Sequence, residues 1–96
     1  NYKTKFGEID IIAKEKDTLV FIEVKARHTD AFGGPETAVN KFKQKQISKA
    51  ALMFLKENSF LEKKARFDIV SICYMNQAPQ INLIKNAFEL DNKYIY

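Results

Sequence analysis

The sequence has no apolar run of about 18 residues or more, the length that predicts a transmembrane helix. Its opening stretch, NYKTKFGEID, also lacks the apolar segment of a signal peptide. The chain has one cysteine, Cys73, which cannot form an internal disulfide. Its apolar surroundings, IVSICYM, indicate a buried reduced thiol rather than a nucleophile. These absences predict neither a membrane span nor a secretory route, and they indicate a cytoplasmic protein.

Several catalytic and binding motifs are absent as well. The sequence has no Ser–His pair, no glycine-rich phosphate loop and no Cys/His spacing typical of zinc sites. Its single histidine, His28, lies in a turn-rich segment, where a loop position is a simpler interpretation than a catalytic base. The chain does not begin with methionine, which indicates a processed or truncated piece of a longer protein.

What is present fits one small basic domain. We expect a single domain over residues 1–96, because a chain of this length forms one core. The hydrophobic content of 46% is that of a globular fold, without low-complexity segments or internal repeats. Sixteen Lys and Arg against twelve Asp and Glu give a net charge of +4, which favours polyanionic partners such as nucleic acid.

Two segments rich in β-branched residues, 7–13 and 18–26, flank a charged stretch and predict a β-hairpin. If the loop has two or four residues, residues whose numbers sum to 33 or 31 lie opposite one another. Even positions of the first segment then share a face with odd positions of the second. One face of the hairpin is then wholly apolar, and we expect it to pack on a helix: Ile9, Ile11, Ala13, Val20, Ile22 and Val24. The other face begins apolar near the turn and becomes charged farther away, with Glu8, Asp10, Glu23 and Lys25.

The rest of the chain predicts one helix and two further strands. Residues 27–39 are turn-rich and predict a loop, after which Asn40 is a candidate N-cap for a helix ending near residue 58. Residues 66–74 and 80–84 predict two strands around a turn at 76–79. The order β-β-α-β-β predicts an α/β or α+β fold with a mixed sheet, because a helical crossover makes the next strand parallel to its neighbour.

Lysines crowd the first half of the predicted helix, at Lys41, Lys43, Lys45 and Lys49. The helix dipole does not favour positive charge there, so a bound anion would relieve a local cost. An ordinary solvated helix face explains the same pattern. With Arg27, these lysines are candidates for contacts with a nucleic-acid backbone.

The charged face of the hairpin is a candidate metal site. Opposed residues of an antiparallel pair have Cβ atoms about 4.5–5.5 Å apart, so Asp10 and Glu23 can direct both carboxylates to one point. Mg²⁺ commonly takes one or two protein carboxylates and completes its shell with water and phosphate oxygens. Lys25 is placed to hold a water molecule or to stabilise negative charge on a phosphate. A salt-bridged exposed edge is the alternative, but the surplus of carboxylates over amines favours a cation.

Several stretches in one order resemble the bacterial YraN-like family of uncharacterised proteins, UPF0102: FGEIDIIA, TLVFIEVKAR, AFGGPETAV, RFDIVSI and NAF. That family resembles the PD-(D/E)xK nucleases, in particular archaeal Holliday junction resolvases, which have a restriction-endonuclease-like mixed sheet flanked by helices and use Mg²⁺ or Mn²⁺. The resemblance implies that Asp10 and Glu23 are metal ligands and that Lys25 is the catalytic lysine. It also implies an auxiliary or outer role for Glu8 and a polar helper role for Gln44.

Asp68, in the stretch RFD, also matches the family pattern. Its place near the start of a predicted strand indicates a structural role instead, paired with Arg66 or with a backbone amide. It is therefore not among the candidate site residues.

The chain departs from these families at its start, where they place a helix that covers the sheet. We therefore expect one apolar face to lack its cover, and metal binding or folding to depend on a partner chain. The expected function is metal-dependent hydrolysis of DNA, with branched DNA implied by the resemblance, and a homodimer would suit a two-fold symmetric junction. Two alternatives remain, a nucleic-acid-binding module without turnover and a structural interaction protein whose partner covers the bare sheet face.

Overall fold

The computed structural model describes residues 1–27, 39–74 and 78–89. These residues form six strands and one helix: β1 (Tyr2–Thr4), β2 (Gly7–Ile9), β3 (Ile11–Glu15), β4 (Thr18–Arg27), α1 (Lys41–Glu57), β5 (Lys64–Cys73) and β6 (Gln80–Phe88). Four strands make a sheet in the order β3-β4-β5-β6, in which β4 and β5 are parallel and the other neighbours antiparallel. The predicted mixed α+β architecture is confirmed, including the parallel return after the helix.

The β3–β4 hairpin has the shorter of the two predicted loops. Its turn is formed by Lys16 and Asp17, and Lys16 takes a positive φ of 56°. Opposed residues have numbers that sum to 33, as in the pairing of Ile12 with Phe21. A two-residue turn with a positive φ matches the right-handed twist of the flanking strands. Residues 28–38 of the predicted loop, including His28, and residues 76 and 77 of the predicted turn lie outside the described residues.

Helix α1 begins where the sequence predicts. The side chain of Asn40 accepts a hydrogen bond of 2.8 Å from the backbone N–H of Lys43, and Asn58 follows the last helical residue as the C-cap. The apolar positions at helical spacing are buried against the sheet: Ile47, Ala50, Ala51 and Leu55. Among the described residues, no helix is long and apolar enough to cross a bilayer.

The face of the hairpin that we predicted to pack on the helix is the wrong one. The core beneath α1 contains Phe21 of β4 and Phe67 of β5, whose ring centroids lie 5.5 Å apart, and Phe54 of α1 meets Phe21 edge to face at 6.0 Å. Ile11, on the predicted core face, is 46% exposed. Both faces carry apolar side chains near the turn, and the face with Phe21 packs its ring into the core with Phe67 and Phe54. Glu23 and Lys25 therefore lie on the face that α1 covers.

The first predicted strand is interrupted, which is a second correction. Residues 7–9 form β2, which pairs with β1 in a separate two-stranded hairpin, and the chain bends at Asp10 before β3 begins. Strand β1 was not predicted. The bend breaks the alternation of faces, so Ile9 joins the core beneath α1 while Ile11 points to the other side. Asp10 is thus a residue between strands rather than a member of the β3–β4 ladder.

Gly7 starts β2 in a backbone conformation that favours glycine. Its φ is +152°, a conformation that residues with a Cβ rarely adopt, and an added Cβ would lie 3.5 Å from the Cβ of Gln46, an ordinary contact distance. The expected cost of Gly7→Ala is therefore backbone strain, about 1–3 kcal/mol in the free energy of unfolding. Urea denaturation followed by circular dichroism measures it. An unchanged midpoint and slope would show that the backbone at Gly7 can relax.

The far face of the sheet, the face away from α1, holds a buried ion pair. Asp68 is only 2% exposed and receives hydrogen bonds of 3.1 Å from Arg66 Nε and 2.9 Å from the backbone N–H of Asn86. The pairing of β5 with β6 shifts register at this point, and Asn86 has a positive φ of 54°. Asp68 therefore fixes a β-bulge, and the predicted structural role is confirmed with both proposed partners.

The same far face leaves large apolar side chains in solvent. Ile81 and Leu83 of β6 are 66% and 52% exposed, and Ile11 of β3 lies on this face as well. Among the described residues, this face is therefore only partly covered. Dependence of folding on a partner chain stays a prediction.

Candidate functional site

The bend between β2 and β3 directs Asp10 toward β4. Asp10 Oδ2 accepts a hydrogen bond of 2.8 Å from the backbone N–H of Val24, the residue that follows Glu23. The hydrogen bond holds the Asp10 carboxylate beside the middle of β4, although Asp10 is not part of the strand ladder. The Val24 backbone N–H thus orients the aspartate.

Glu23 is the buried member of the site. It is 6% exposed, and its Oε1 lies 3.8 Å from Lys25 Nζ and 3.9 Å from Lys43 Nζ. Both distances exceed those of a hydrogen bond, and no hydrogen bond reaches Glu23 from the described part of the chain. A buried carboxylate is normally hydrogen-bonded, so Glu23 is an exception that calls for a physical reason.

The electrostatic environment of Glu23 disfavours its charged form. Burial raises the pKa of Glu23, and the neighbouring carboxylates of Asp10 and Glu8 raise it further. The ammonium groups of Lys43 and Lys25 lower it, but they do not compensate fully. The described residues therefore leave a local excess of negative charge around a desolvated carboxylate, and a cation would relieve it.

Glu8 and Gln44 lie at the margins of this site. Glu8 Oε1 accepts a hydrogen bond from Asn1 Nδ2, and its charge acts on Glu23 from β2. Gln44 Nε2 donates a hydrogen bond of 3.0 Å to the backbone carbonyl of Val39, the residue before the N-cap. Gln44 thus holds the entry to α1, and its recorded hydrogen bond is not to the acidic cluster.

The structure separates the predicted basic residues. Lys43 contacts Glu23, Lys41 and Lys45 are exposed, and Lys49 lies over the ring of Phe6 at 5.5 Å. The Arg27 side chain lies outside what the structure describes. Lys41, Lys45 and Lys49 therefore follow one side of the helix at a spacing of four, whereas Lys43 faces the sheet and is the one of the four lysines that lines the site.

Lys43 is the site residue that sequence reasoning misplaced. It was grouped with the solvent-facing lysines, yet it precedes the buried Ile47 by one helical turn. Residues four apart share one side of a helix, so this spacing already indicates that Lys43 faces the sheet. The aromatic face of the hairpin, once chosen as the core, places Glu23 directly under that side.

The donor set is small. Among the described residues, no group of three or more His, Cys, Asp or Glu side chains is arranged to hold a metal ion. Asp10 and Glu23 supply two carboxylates at most, which is the number that Mg²⁺ commonly takes from a protein when substrate phosphate and water complete its shell. The residues present fit such a cation because Glu23 has no hydrogen-bond donor in the described chain and is repelled by its acidic neighbours.

Comparison with known proteins places this chain in a family. The model of the family described as "Uncharacterised protein family UPF0102" matches residues 1–72. A protein named "UPF0102 protein" from Geobacter metallireducens is 51% identical over 90 residues, covering 94% of this chain and 74% of the relative. Proteins of the same name from Geotalea daltonii and Syntrophus aciditrophicus are 52% and 48% identical, each over 94% of this chain and over 72% and 71% of their own lengths. From the family match and these relatives, we conclude that the chain belongs to the family UPF0102.

Proposed function

We propose that this domain hydrolyses phosphodiester bonds in DNA with the help of a divalent cation held by Asp10 and Glu23. The observation that supports it is the buried Glu23 carboxylate, which lacks a hydrogen bond in the described chain, is repelled by Asp10 and has two ammonium groups within 4 Å of its Oε1. A bound Mg²⁺ or Mn²⁺ would polarise a phosphate oxygen and lower the pKa of water. Branched DNA is the favoured substrate, on the resemblance to junction resolvases.

The protein's own residues have separate tasks in this proposal. The Val24 N–H orients the Asp10 carboxylate by holding Oδ2, and Oδ1 is the oxygen that would bind the cation. Lys25 and Lys43 carry positive charge to within 4 Å of Glu23, where they can pair with phosphate oxygens and stabilise negative charge as it develops. The covering helix α1 excludes water on one side and strengthens these interactions.

A second candidate is binding of nucleic acid without turnover. It is favoured by the donor count, because the described residues offer two carboxylates and no third ligand-type side chain in the same cluster. This candidate predicts salt-sensitive binding with no cleavage in the presence of any divalent ion.

The experiment that tests the proposal compares cleavage of a branched and a linear DNA by the wild type, Asp10→Ala and Asp17→Ala. Asp17 is an exposed carboxylate in the hairpin turn and serves as the matched control. We expect cleavage only with Mg²⁺ or Mn²⁺ present, retained by Asp17→Ala and lost by Asp10→Ala. Equal cleavage by all three would mean that the activity comes from a contaminant, and binding without cleavage would favour the second candidate.

A further inference from the structure

Helix α1 exposes a phenylalanine among lysines. Phe42 is 69% exposed, more than any other large apolar side chain among the described residues. Residues at spacings of three and seven share one side of a helix, so Lys45 and Lys49 continue from Phe42 along the same side. A single exposed apolar residue is ordinary, but one aligned with cations is the pattern of surfaces that bind nucleic-acid bases.

The row continues onto the β1–β2 hairpin. The ammonium of Lys49 lies 5.5 Å from the ring centroid of Phe6, and that of Lys5 lies 5.2 Å from the same centroid. Two aromatic rings and three amines thus form one row across two elements: Phe42, Lys45, Lys49, Phe6 and Lys5. We refer to these five residues as the basic aromatic stripe.

The helix supplies little negative charge to balance the stripe. Its sequence, KFKQKQISKAALMFLKE, contains five lysines and one acid, Glu57, which is the last residue. The first turn has no acidic residue, although the helix dipole favours acids there. The first turns of α1 therefore carry lysines and no acid of their own, which favours a polyanionic ligand.

The stripe lies next to the candidate metal site. Phe42 directly precedes Lys43, whose ammonium is 3.9 Å from Glu23 Oε1. A strand bound along the stripe would therefore begin beside Lys43 and continue along a side of α1 other than the one that faces the carboxylates. A ring can stack only on a base whose face is free, and the bases of an intact duplex present their faces to one another, not to the protein.

We propose that the basic aromatic stripe binds a single-stranded segment of DNA, with Phe42 stacked on an unpaired base and the lysines beside the phosphates. The inference rests on the proposed function and deepens it, since it makes the strand next to the site an unpaired one. The occupant is a nucleic-acid strand because the stripe joins stacking surfaces to positive charge; a protein partner would need a larger continuous apolar area.

The test measures binding without cleavage. Fluorescence anisotropy in EDTA compares a labelled oligothymidine of about 20 nucleotides, longer than the roughly 4–16-nucleotide sites of other single-strand binders, with a blunt duplex of equal length. The proteins are wild type, Phe42→Ala, Phe42→Tyr, Lys45→Ala and Leu61→Ala. Leu61 is an exposed apolar residue beyond the other end of α1 and is the matched control.

We expect the wild type to bind the oligothymidine more tightly than the duplex. Phe42→Ala should weaken oligothymidine binding by about 5- to 150-fold, the loss that corresponds to one stacked base, and should change duplex binding far less. Phe42→Tyr should keep the wild-type affinity for the oligothymidine, because a tyrosine ring also stacks. Lys45→Ala should weaken binding to both DNAs and reduce the salt slope for the single strand by about 0.7.

A duplex preference in the wild type, or equal affinities for Phe42→Ala and Leu61→Ala, would overturn the inference. Its failure can be told from failure of the proposed function. If cleavage needs Asp10 but Phe42→Ala has no effect on binding, only the proposed role of the basic aromatic stripe is contradicted. If single-strand binding needs Phe42 but no divalent ion supports cleavage, only the proposed hydrolysis is contradicted.

Discussion

Replacing Glu23 with glutamine is expected to abolish metal-dependent cleavage and at the same time to stabilise the metal-free fold. Removal of one of two carboxylate ligands should lower the cleavage rate by about 10²-fold or more, since a metal contributes several kcal/mol to the transition state. The free energy of unfolding without metal should rise by about 0.5–2 kcal/mol at neutral pH, as when functional-site strain is removed from other proteins. The reason is that Glu23 is buried, lacks a hydrogen bond in the described chain and is repelled by Asp10 and Glu8.

The stabilisation should depend on pH in a defined direction. The pKa of Glu23 is raised in the folded protein above its ordinary value of 4.5, so the folded state holds this proton more tightly than the unfolded chain does. The stability linked to this group is complete below pH 4.5 and is lost as pH rises through the raised pKa. Wild type and Glu23→Gln should therefore be equally stable in acid, and the variant should gain as pH rises toward neutrality.

Denaturation in urea with EDTA, repeated across this pH range, measures the difference. Glu62→Gln, at an exposed position, is the matched control and should stay within about 0.5 kcal/mol of the wild type. Adding Mg²⁺ or Mn²⁺ at neutral pH should stabilise the wild type and leave Glu23→Gln unchanged, because only the wild type retains both ligands. A glutamine variant that is less stable than the wild type at neutral pH would show that Lys25 and Lys43 already neutralise the site.

Local signals in the sequence were sufficient for much of this fold. Asn40 and the helical spacing that begins at Ile47 fixed both ends of α1 to within a residue or two, because an N-cap and an amphipathic face are local properties. The charged turn at Lys16 and Asp17 limited the hairpin to two registers, and both of them place Glu23 and Lys25 on one face. The parallel pairing of β4 with β5 followed from the helix between them.

Two features needed information that no single segment carries. The choice of the Phe21 face over the Ile11 face depends on which apolar surface gains more from packing on α1 and on β5, and both faces looked apolar from the hairpin alone. The bend at Asp10 depends on β1, a three-residue strand too short for a periodic signal, which pairs with β2 and draws it away from the sheet. The position of Lys43 follows once the face is known.

The sheet contains two buried carboxylates whose surroundings are opposite in kind. Glu23, beneath α1, has two ammonium groups near 4 Å and no hydrogen bond among the described residues. Asp68, on the far face, is hydrogen-bonded by Arg66 and by the Asn86 amide at 3.1 and 2.9 Å. A satisfied buried carboxylate supports the fold, whereas an unsatisfied one is kept at a cost in stability. Burial alone therefore does not distinguish a ligand from a structural residue, but the hydrogen-bond partners do.

Whereas Glu23→Gln should stabilise the metal-free fold, Asp68→Ala should lower the free energy of unfolding by about 2–4 kcal/mol. The substitution removes a buried ion pair and leaves the backbone N–H of Asn86 at the bulge without an acceptor. The control is Glu15→Ala, which removes the solvent-exposed partner of the same Arg66 guanidinium. Exposed pairs contribute little, so this variant should lose no more than about 1 kcal/mol. Asp68→Asn should fall between the two, because an amide oxygen can still accept the hydrogen bond from Asn86 but carries no charge for Arg66. Equal losses for Asp68→Ala and Glu15→Ala in urea denaturation would mean that the bulge between β5 and β6 does not depend on the Asp68 carboxylate.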